Sequence, residues 1–475
     1  MTDKRDKVRY LIKDTWLFAV SSFGSKVLII LLMPLYTNVL STEQYGIADL
    51  INTTVLFTYP VFTLSISEAT LRYSMENGIS KRSVFVITML FTLVSFGTVM
   101  MLKPFAGMID AYLEEYWSYF IGIFCLNNIN IAFSSFVKGV GMTKLFAISG
   151  IVQTFSAILS NILFLIVFDF NIYGYLWSII IGYTVSCMVM FIGGKLYKYV
   201  FPIDIDKSLL KTMLCYCTPL IPTIIAWAVN ASIDKYMIIE MVGMSDNGIY
   251  SIAHKIPGMM TTIMSIFINA WQLSAISNHG EQDEIEYQTN VYRVFSIVAL
   301  LGCFMLIVIN KPLSYLLFAN EFALAWRFVP FLIVSAFFSS LSNFLGASYR
   351  AAKKTSGLLF SLTVGAVMNI LMNFIFIGEI GALGAAIATA TSFFTVWLIR
   401  IISIQRILTI KIDVFRTLVS FVLFFSAAIV SSFDFGYSVY ANMVMLTVVC
   451  VINISDIKYI LSGIGRIISG KGKNF

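Results

Sequence analysis

Apolar residues run along this chain in blocks of about 20, and short polar segments separate the blocks. A block of that length crosses the bilayer core as an α-helix. Lipid offers no hydrogen-bond partners, so only helices or closed barrels satisfy every backbone group there. The runs are unalternating, which excludes a barrel. The pattern predicts an all-α polytopic membrane protein of about fourteen transmembrane helices. They lie at roughly 16–37, 47–73, 84–103, 117–137, 145–168, 173–196, 212–240, 248–274, 291–310, 326–349, 355–377, 382–404, 414–432 and 438–455. The connections are short; the longest falls near 275–290 and holds Glu281, Asp283, Glu284 and Glu286.

The pattern repeats. Residues 143–164 match 355–376 at Thr143/Thr355, Ser149/Ser361, Val152/Val364, Ile158/Ile370, Leu159/Leu371, Asn161/Asn373 and Phe164/Phe376. Apolar identities arise by chance, so the Asn and Thr pairs weigh most. Gly46-Ile47 and Gly248-Ile249, each following a polar turn, form a fainter second echo. Six helices per copy is an even number, so both copies keep one topology and are related by an axis along the membrane normal. This predicts two pseudo-symmetric six-helix lobes, residues 1–200 (helices 1–6) and 201–411 (helices 7–12). Residues 412–475 add two C-terminal helices and a cytoplasmic tail.

Composition agrees: 59% of residues are hydrophobic and 12% charged, against about 25% charged in soluble proteins. The net charge of +7 reads as basic residues gathered in cytoplasmic loops rather than as a nucleic-acid surface. With a cytoplasmic N-terminus, the inner segments take nearly all of the Lys and Arg, and the outer side keeps only Lys103, Lys311 and Arg327. Both termini are therefore expected on the cytoplasmic side. Residues 1–14 are hydrophilic and the following run is a full span without a small-residue cleavage site, so no cleavable signal peptide is expected. The six cysteines fall inside predicted spans and read as packing residues, with no metal and no disulfide.

No phosphate-cradling glycine loop ending in Lys-Ser/Thr is present. The two histidines, His254 and His279, are too isolated for a metal site, and no cofactor is implied. Candidate chemistry lies instead with ions inside the spans. Lys26 falls roughly 15 Å along the first helix from Trp16, near the midplane. A lysine there costs about 2.5–3.5 kcal/mol and usually faces a cavity or a partner. Arg72, Lys235, His254 and Lys255 are the further candidates for contacting substrate. Asp49, Glu68 and Asp234 are candidates for ion coupling or ion pairing. Glu68 and Arg72 stand one helical turn apart, where a pair is expected. Asp234 and Lys235 read equally well as ions that hold helices together, Arg72 as a positive-inside anchor, and His254 as a hydrogen-bonded interior residue. Pro34, Pro60 and Pro257 mark hinges, because proline frees a carbonyl and bends a helix. Two such helix pairs, 1–2 and 7–8, read as the walls of a central cavity. Gln153, Ser156 and Ser160, and Gly365, Asn369 and Asn373, read as small and polar packing stripes. Tyr112, Tyr116, Trp117 and Tyr119 read as an aromatic belt.

The chain resembles the polysaccharide transport branch of the multidrug/oligosaccharidyl-lipid/polysaccharide exporter superfamily, and most of all its Wzx-type O-antigen and capsule-repeat flippases. The resemblance rests on Leu32-Met33-Pro34-Leu35-Tyr36-Thr37-Asn38-Val39-Leu40-Ser41-Thr42-Glu43-Gln44-Tyr45-Gly46, on Glu68-Ala69-Thr70-Leu71-Arg72-Tyr73, and on the fourteen spans in two lobes. It implies a transporter, not an enzyme. Such a protein carries undecaprenyl-diphosphate-linked oligosaccharide repeat units from the inner to the outer leaflet of the bacterial cytoplasmic membrane by alternating access. An ion gradient (proton or sodium) or the membrane potential would drive it. Membrane lipids, a glycan polymerase and a chain-length regulator are the implied partners. Lys26 fits a basic residue in the first helix of the related lipid II flippases, and Lys255 one in their eighth. Two other readings stand beside this one. A multidrug/cation antiporter of the same superfamily usually has twelve spans and a more acidic cavity. A membrane-embedded glycan polymerase or glycosyltransferase would want long outer loops, which this chain lacks.

Overall fold

The computed structural model describes residues 28, 30–203, 205–277, 284–352, 356–406, 410–433 and 435–468. Among them, nine helices are long and apolar enough to cross a membrane, or twelve if each of three bent pairs counts as one span. Most of the first predicted span lies outside the described residues. The eighth is not among the twelve: it is interrupted at His254 and carries Thr261, Thr262, Ser265, Asn269 and Gln272 along its length. Polar side chains, not shortness, set it apart.

The chain divides into two compact units, Met1–Tyr236 with Met244–Gly248, and Met237–Gly243 with Ile249–Phe475. In the first unit, α1 (Met33–Val39) begins with Pro34 in its first turn, where a missing N–H costs nothing. The chain turns at Ser41 and enters α2 (Thr42–Phe62) through a capping box. Ser41 Oγ accepts from the Gln44 N–H and Gln44 Oε1 accepts from the Ser41 N–H, both at 3.1 Å. A 62° bend separates α2 from α3 (Ile66–Met75). Leu64 and Ser65 make the bend with φ of 50° and 51°, a left-handed conformation that L-residues seldom adopt. Pro60 lies one turn before it. Then follow α4 (Lys81–Met101), α5 (Trp117–Gly139), α6 (Thr143–Ile162, extended by a wider turn over Leu163–Val167) and α7 (Asn171–Gly193). A second bent pair joins α8 (Lys207–Cys217), capped by Asp206, to α9 (Ile221–Met241) at 41°. Ile66, Ala69, Val84, Ile87, Leu209, Met213 and Cys217 tie α3, α4 and α8 into one apolar core. A second core joins Phe85, Phe133, Phe136, Val137, Cys187 and Met190.

The second unit holds α10 (Met244–Ala253, its first turn counted with the other unit), α11 (Lys255–Ser277) and α12 (Glu284–Val308). Its axis is α13 (Val329–Ala351), buried along nearly its whole length. Around it lie α11, α12, α14 (Ser356–Ile380), α15 (Ala382–Ile404) and α16 (Val414–Ser432). Trp271 stacks on Phe344 at 4.6 Å, and Phe337, Phe338, Trp397, Phe421 and Phe424 interlock edge to face. The last predicted span is shorter than expected. It ends at Ile452 as α17 (Ser438–Ile452) and turns by 70° into α18 (Ile454–Ile468). Isoleucine or leucine at 454, 457, 460 and 461 gives α18 one apolar stripe, so the expected tail begins as an amphipathic helix. Cys215, expected to pack, is exposed, whereas Cys187, Cys217 and Cys303 are buried.

Residues paired by the sequence repeat make some like contacts in both copies. Ser149 Oγ donates to the Phe146 carbonyl at 2.8 Å, and Ser361 Oγ to the Leu358 carbonyl at 2.9 Å. Asn161 reaches back one turn to Ala157, and Asn373 to Asn369. A Cβ on Gly174 would meet Phe164, and one on Gly384 would meet Phe376, so both hairpins close through a glycine against the same repeated phenylalanine. Thr355, of the Thr143/Thr355 pair, lies outside the described residues.

Candidate functional site

The first unit brings together the ions expected on helices 2 and 7. Lys235 Nζ lies 2.9 Å from Asp49 Oδ2 and 3.0 Å from Oδ1, both side chains about one-seventh exposed. Thr53 Oγ1 donates to the same carboxylate at 3.4 Å. One residue away, the Lys235 N–H donates to Asp234 Oδ1 at 3.0 Å, with Asp234 fully buried. The next residue, Tyr236, bonds Thr54 at 2.7 Å and packs edge-on against Phe57. Lys235 is thus a paired cation whose carboxylate comes from the other helix.

The starts of α2 and α10 meet nearby through the second sequence echo. A Cβ on Gly46 would stand 2.3 Å from the Met244 carbonyl oxygen, and one on Gly248 would stand 1.9 Å from that of Thr42. Thr42 is to Gly46 as Met244 is to Gly248, so the contact repeats itself with the roles exchanged. Asn247 Nδ2 adds a bond to the Gly46 carbonyl at 3.3 Å.

The expected Glu68–Arg72 pair does not form. Arg72 pairs with Glu76 at 3.1 Å, and its side chain is largely exposed. Both carboxylates are within reach on the helix, and the pair with glutamate on the C-terminal side forms at the end of α3, beyond the packed faces. Glu68 is exposed and lies within electrostatic range of Lys138.

In the second unit, His254 occupies the break between α10 and α11, its ring edge-on to Tyr250 at 4.8 Å. Pro257 stands three residues on, where its missing N–H leaves the Ala253 carbonyl without the helical partner. Lys255, next to the break, is half-buried, and its side chain makes no hydrogen bond or ion pair among the described residues. Pro34 likewise follows a turn in its helix, at Leu32. Lys26 lies outside the described residues.

Sequence reasoning missed one cavity. About 730 Å³ opens between α12, α16 and the α17–α18 turn, lined by Glu286, Arg293, Lys411, Asp413, Arg416 and Asp456 among others. Arg293 pairs with Asp456, Arg416 with Asp413, and Arg416 Nη1 bonds Ser455 at 3.0 Å. The three cations had only the look of inner-loop anchors. Sequence also missed Arg400, which is 3% exposed inside the second unit.

Three comparisons bear on this geometry. A family model described as polysaccharide biosynthesis protein matches residues 11–272. An uncharacterized membrane protein of Methanocaldococcus jannaschii is 24% identical over 421 residues, covering 84% of this chain and 98% of its own. Among solved structures, lipid II flippase MurJ in an inward closed conformation has a TM-score of 0.71 at 15% identity, covering 94% of this chain and 99% of that one. An inward-facing multidrug resistance MATE family transporter of the MOP superfamily has a TM-score of 0.67 at 12% identity, covering 80% and 94%. These likenesses show the fold.

Proposed function

The chain belongs to the polysaccharide biosynthesis protein family, and from that premise we propose that it is a lipid-linked oligosaccharide flippase of the bacterial cytoplasmic membrane. It moves undecaprenyl-diphosphate-linked repeat units from the inner to the outer leaflet by alternating access. The observation that carries this reading is Lys255. A half-buried lysine beside a helix break, on a helix lined with Thr261, Thr262, Ser265, Asn269 and Gln272 and without a side-chain partner among the described residues, is a cation kept for an anionic ligand. The diphosphate of a lipid carrier supplies that charge. Lys26, near the midplane by sequence, is its expected companion. Lys235 takes a different role, since Asp49 already neutralises it. Pro34, Pro60 and Pro257 act as hinges beside the breaks at Leu32, Leu64–Ser65 and His254. Energy comes from an ion gradient or from the membrane potential, worth about 2.3 kcal/mol per charge per 100 mV. Asp49, Glu68 and Asp234 are the carboxylates available for coupling.

A deletion strain tests the reading. Single lipid-linked repeats accumulating on the inner leaflet support it. Short assembled glycans on the outer leaflet would mean loss of a polymerase and would overturn it.

A further inference from the structure

Arg400 is a buried cation on α15 with no carboxylate beside it among the described residues. Its Nε donates to Ser361 Oγ at 2.9 Å and its Nη1 to the Ser342 carbonyl at 2.7 Å. Neither partner carries charge. A second guanidinium stands close by. A Cβ built on Gly346 would lie 3.4 Å from Arg400 Nη1 and 3.6 Å from Arg350 Nη1, so the two nitrogens are at most about 7 Å apart. Arg350 has one hydrogen bond, to Gln272 Oε1 at 3.1 Å, again uncharged. Two guanidiniums so placed repel unless something negative lies between them.

Two further observations describe the gap. Ser342, Gly346 and Arg350 recur at every fourth position of α13 and share one face. The Ser342 hydroxyl on that face is buried with no hydrogen-bond partner, which costs stability unless a ligand satisfies it. Gly346 is the position where a side chain would otherwise press between the guanidiniums.

We propose that Arg350 and Arg400, with the Ser342 hydroxyl, form a site over Gly346 for a diphosphate group. Charge-assisted N–H···O bonds of about 2.7–2.9 Å from each guanidinium place a bridging anion within a gap of this width. Arginine suits the task because its planar fork matches phosphate oxygens. This rests on the flippase reading, in which the diphosphate belongs to the lipid carrier. Both arginines sit at the ends of α13 and α15 that the distribution of basic residues assigns to the inner leaflet, where a carrier is loaded.

The test uses the full chain in phosphatidylcholine nanodiscs, with inorganic pyrophosphate as the probe and the thermal midpoint as the readout. Wild type should show a saturable upward shift. Arg350→Gln and Arg400→Met should abolish it. Gly346→Ala adds a methyl at ordinary contact distance, so the chain should fold, and apparent affinity should fall at least tenfold. Retention of wild-type affinity in Gly346→Ala and Arg350→Gln, or no saturable shift in wild type, overturns the site. A long-chain prenyl diphosphate in the same nanodiscs should move the pyrophosphate curve at least tenfold to higher concentration. No displacement would make the ligand an aqueous anion and overturn its assignment to the carrier. Phosphatidylglycerol displacing the probe equally well would overturn it too. All these outcomes are independent of the deletion-strain result.

Discussion

Gly248→Ala is the most economical change to the contact between the starts of α2 and α10. The added Cβ would stand 1.9 Å from the Thr42 carbonyl oxygen, 2.8 Å from its carbon and 3.2 Å from the Gly46 nitrogen. All three are backbone atoms, which cannot swing aside. Non-bonded atoms pack best at roughly 3.5–4.0 Å, so the two helix starts must part by more than about 1 Å. Overpacking of this kind costs about 1–3 kcal/mol. Alanine's better helix propensity offsets about 1 kcal/mol of that, leaving a net loss of up to about 2 kcal/mol, at whose upper end a backbone contact this close belongs. Gly97 and Gly150 are the controls: both are helical, and neither would meet anything within 4 Å. There the propensity term acts alone, and alanine should be neutral or stabilising by about 0.5–1 kcal/mol. Thermal unfolding of the purified protein should put the Gly248→Ala midpoint a few degrees below wild type, and Gly97→Ala at or above it. Because Gly46 shares the contact, Gly46→Ala added to Gly248→Ala should cost less than the two singles together. Equal midpoints for Gly248→Ala and Gly97→Ala would refute the argument.

Asp49→Asn or Lys235→Met should each lower the unfolding free energy by about 2–3 kcal/mol, somewhat below the range for a fully buried pair, because each strands a charge. The reversed pair Asp49→Lys with Lys235→Asp should recover most of that loss in membrane abundance, and failure to recover would make the ions independent. Ser65→Gly relieves a left-handed serine at φ 51° and should raise stability by about 1 kcal/mol, read as a higher thermal midpoint; a fall would show that its bond to the Pro60 carbonyl outweighs the strain. At Lys26, arginine should support surface-glycan export, alanine should impair it, and glutamate should impair it more, at similar protein levels. Normal export by Lys26→Glu would exclude a substrate contact, and lower abundance in every variant would make Lys26 an ion-pair partner.

Helix identity was legible because apolar runs of bilayer length have one solution in lipid, but the helices at 47–73, 212–240 and 291–310 begin five to seven residues earlier than read, and the breaks at Leu64–Ser65, after Cys217 and at His254 had no apolar-length signal. The repeat was legible through Ser149/Ser361, Asn161/Asn373 and Phe164/Phe376; the serines make the same bond in both copies, whereas Asn161 bonds a backbone carbonyl and Asn373 a side-chain oxygen. The Gly46/Gly248 echo was visible as a motif, but that the glycines touch each other follows only from three dimensions. Pair choice was not legible. Arg72 had carboxylates at both i−4 and i+4, and the helix end at Met75 decided for Glu76. Lys235 had no carboxylate on its own exposed face, and its mate lies 186 residues away. Arg400 was hidden for a different reason: at the end of a span, a buried arginine and an anchoring one look alike in sequence.

The sorting of cations into paired and unpaired also constrains how the membrane potential acts on the transporter. A carrier diphosphate bears about two negative charges, and outward movement against a cell interior that is negative would release about 4.6 kcal/mol per 100 mV, twice the single-charge value. That holds only if no protein charge crosses the field with it. Lys235 contributes nothing net, because Asp49 travels with it. Lys255, without a side-chain partner among the described residues, would contribute one positive charge, and Lys26 a second. With both moving alongside the substrate, the net charge is close to zero and the potential supplies almost no drive, which leaves an ion gradient to do so. Lys255→Gln removes one of the two. We therefore expect it to slow transport at zero potential yet make it voltage-sensitive, with about 2.3 kcal/mol available per 100 mV. Proteoliposomes holding a fluorescent lipid-linked glycan, with the potential set by a potassium gradient and valinomycin, give the comparison as the ratio of initial rates at 100 mV and at zero. Wild type should give a ratio near one and Lys255→Gln a larger one. Equal ratios would show that Lys255 does not move through the field with the substrate.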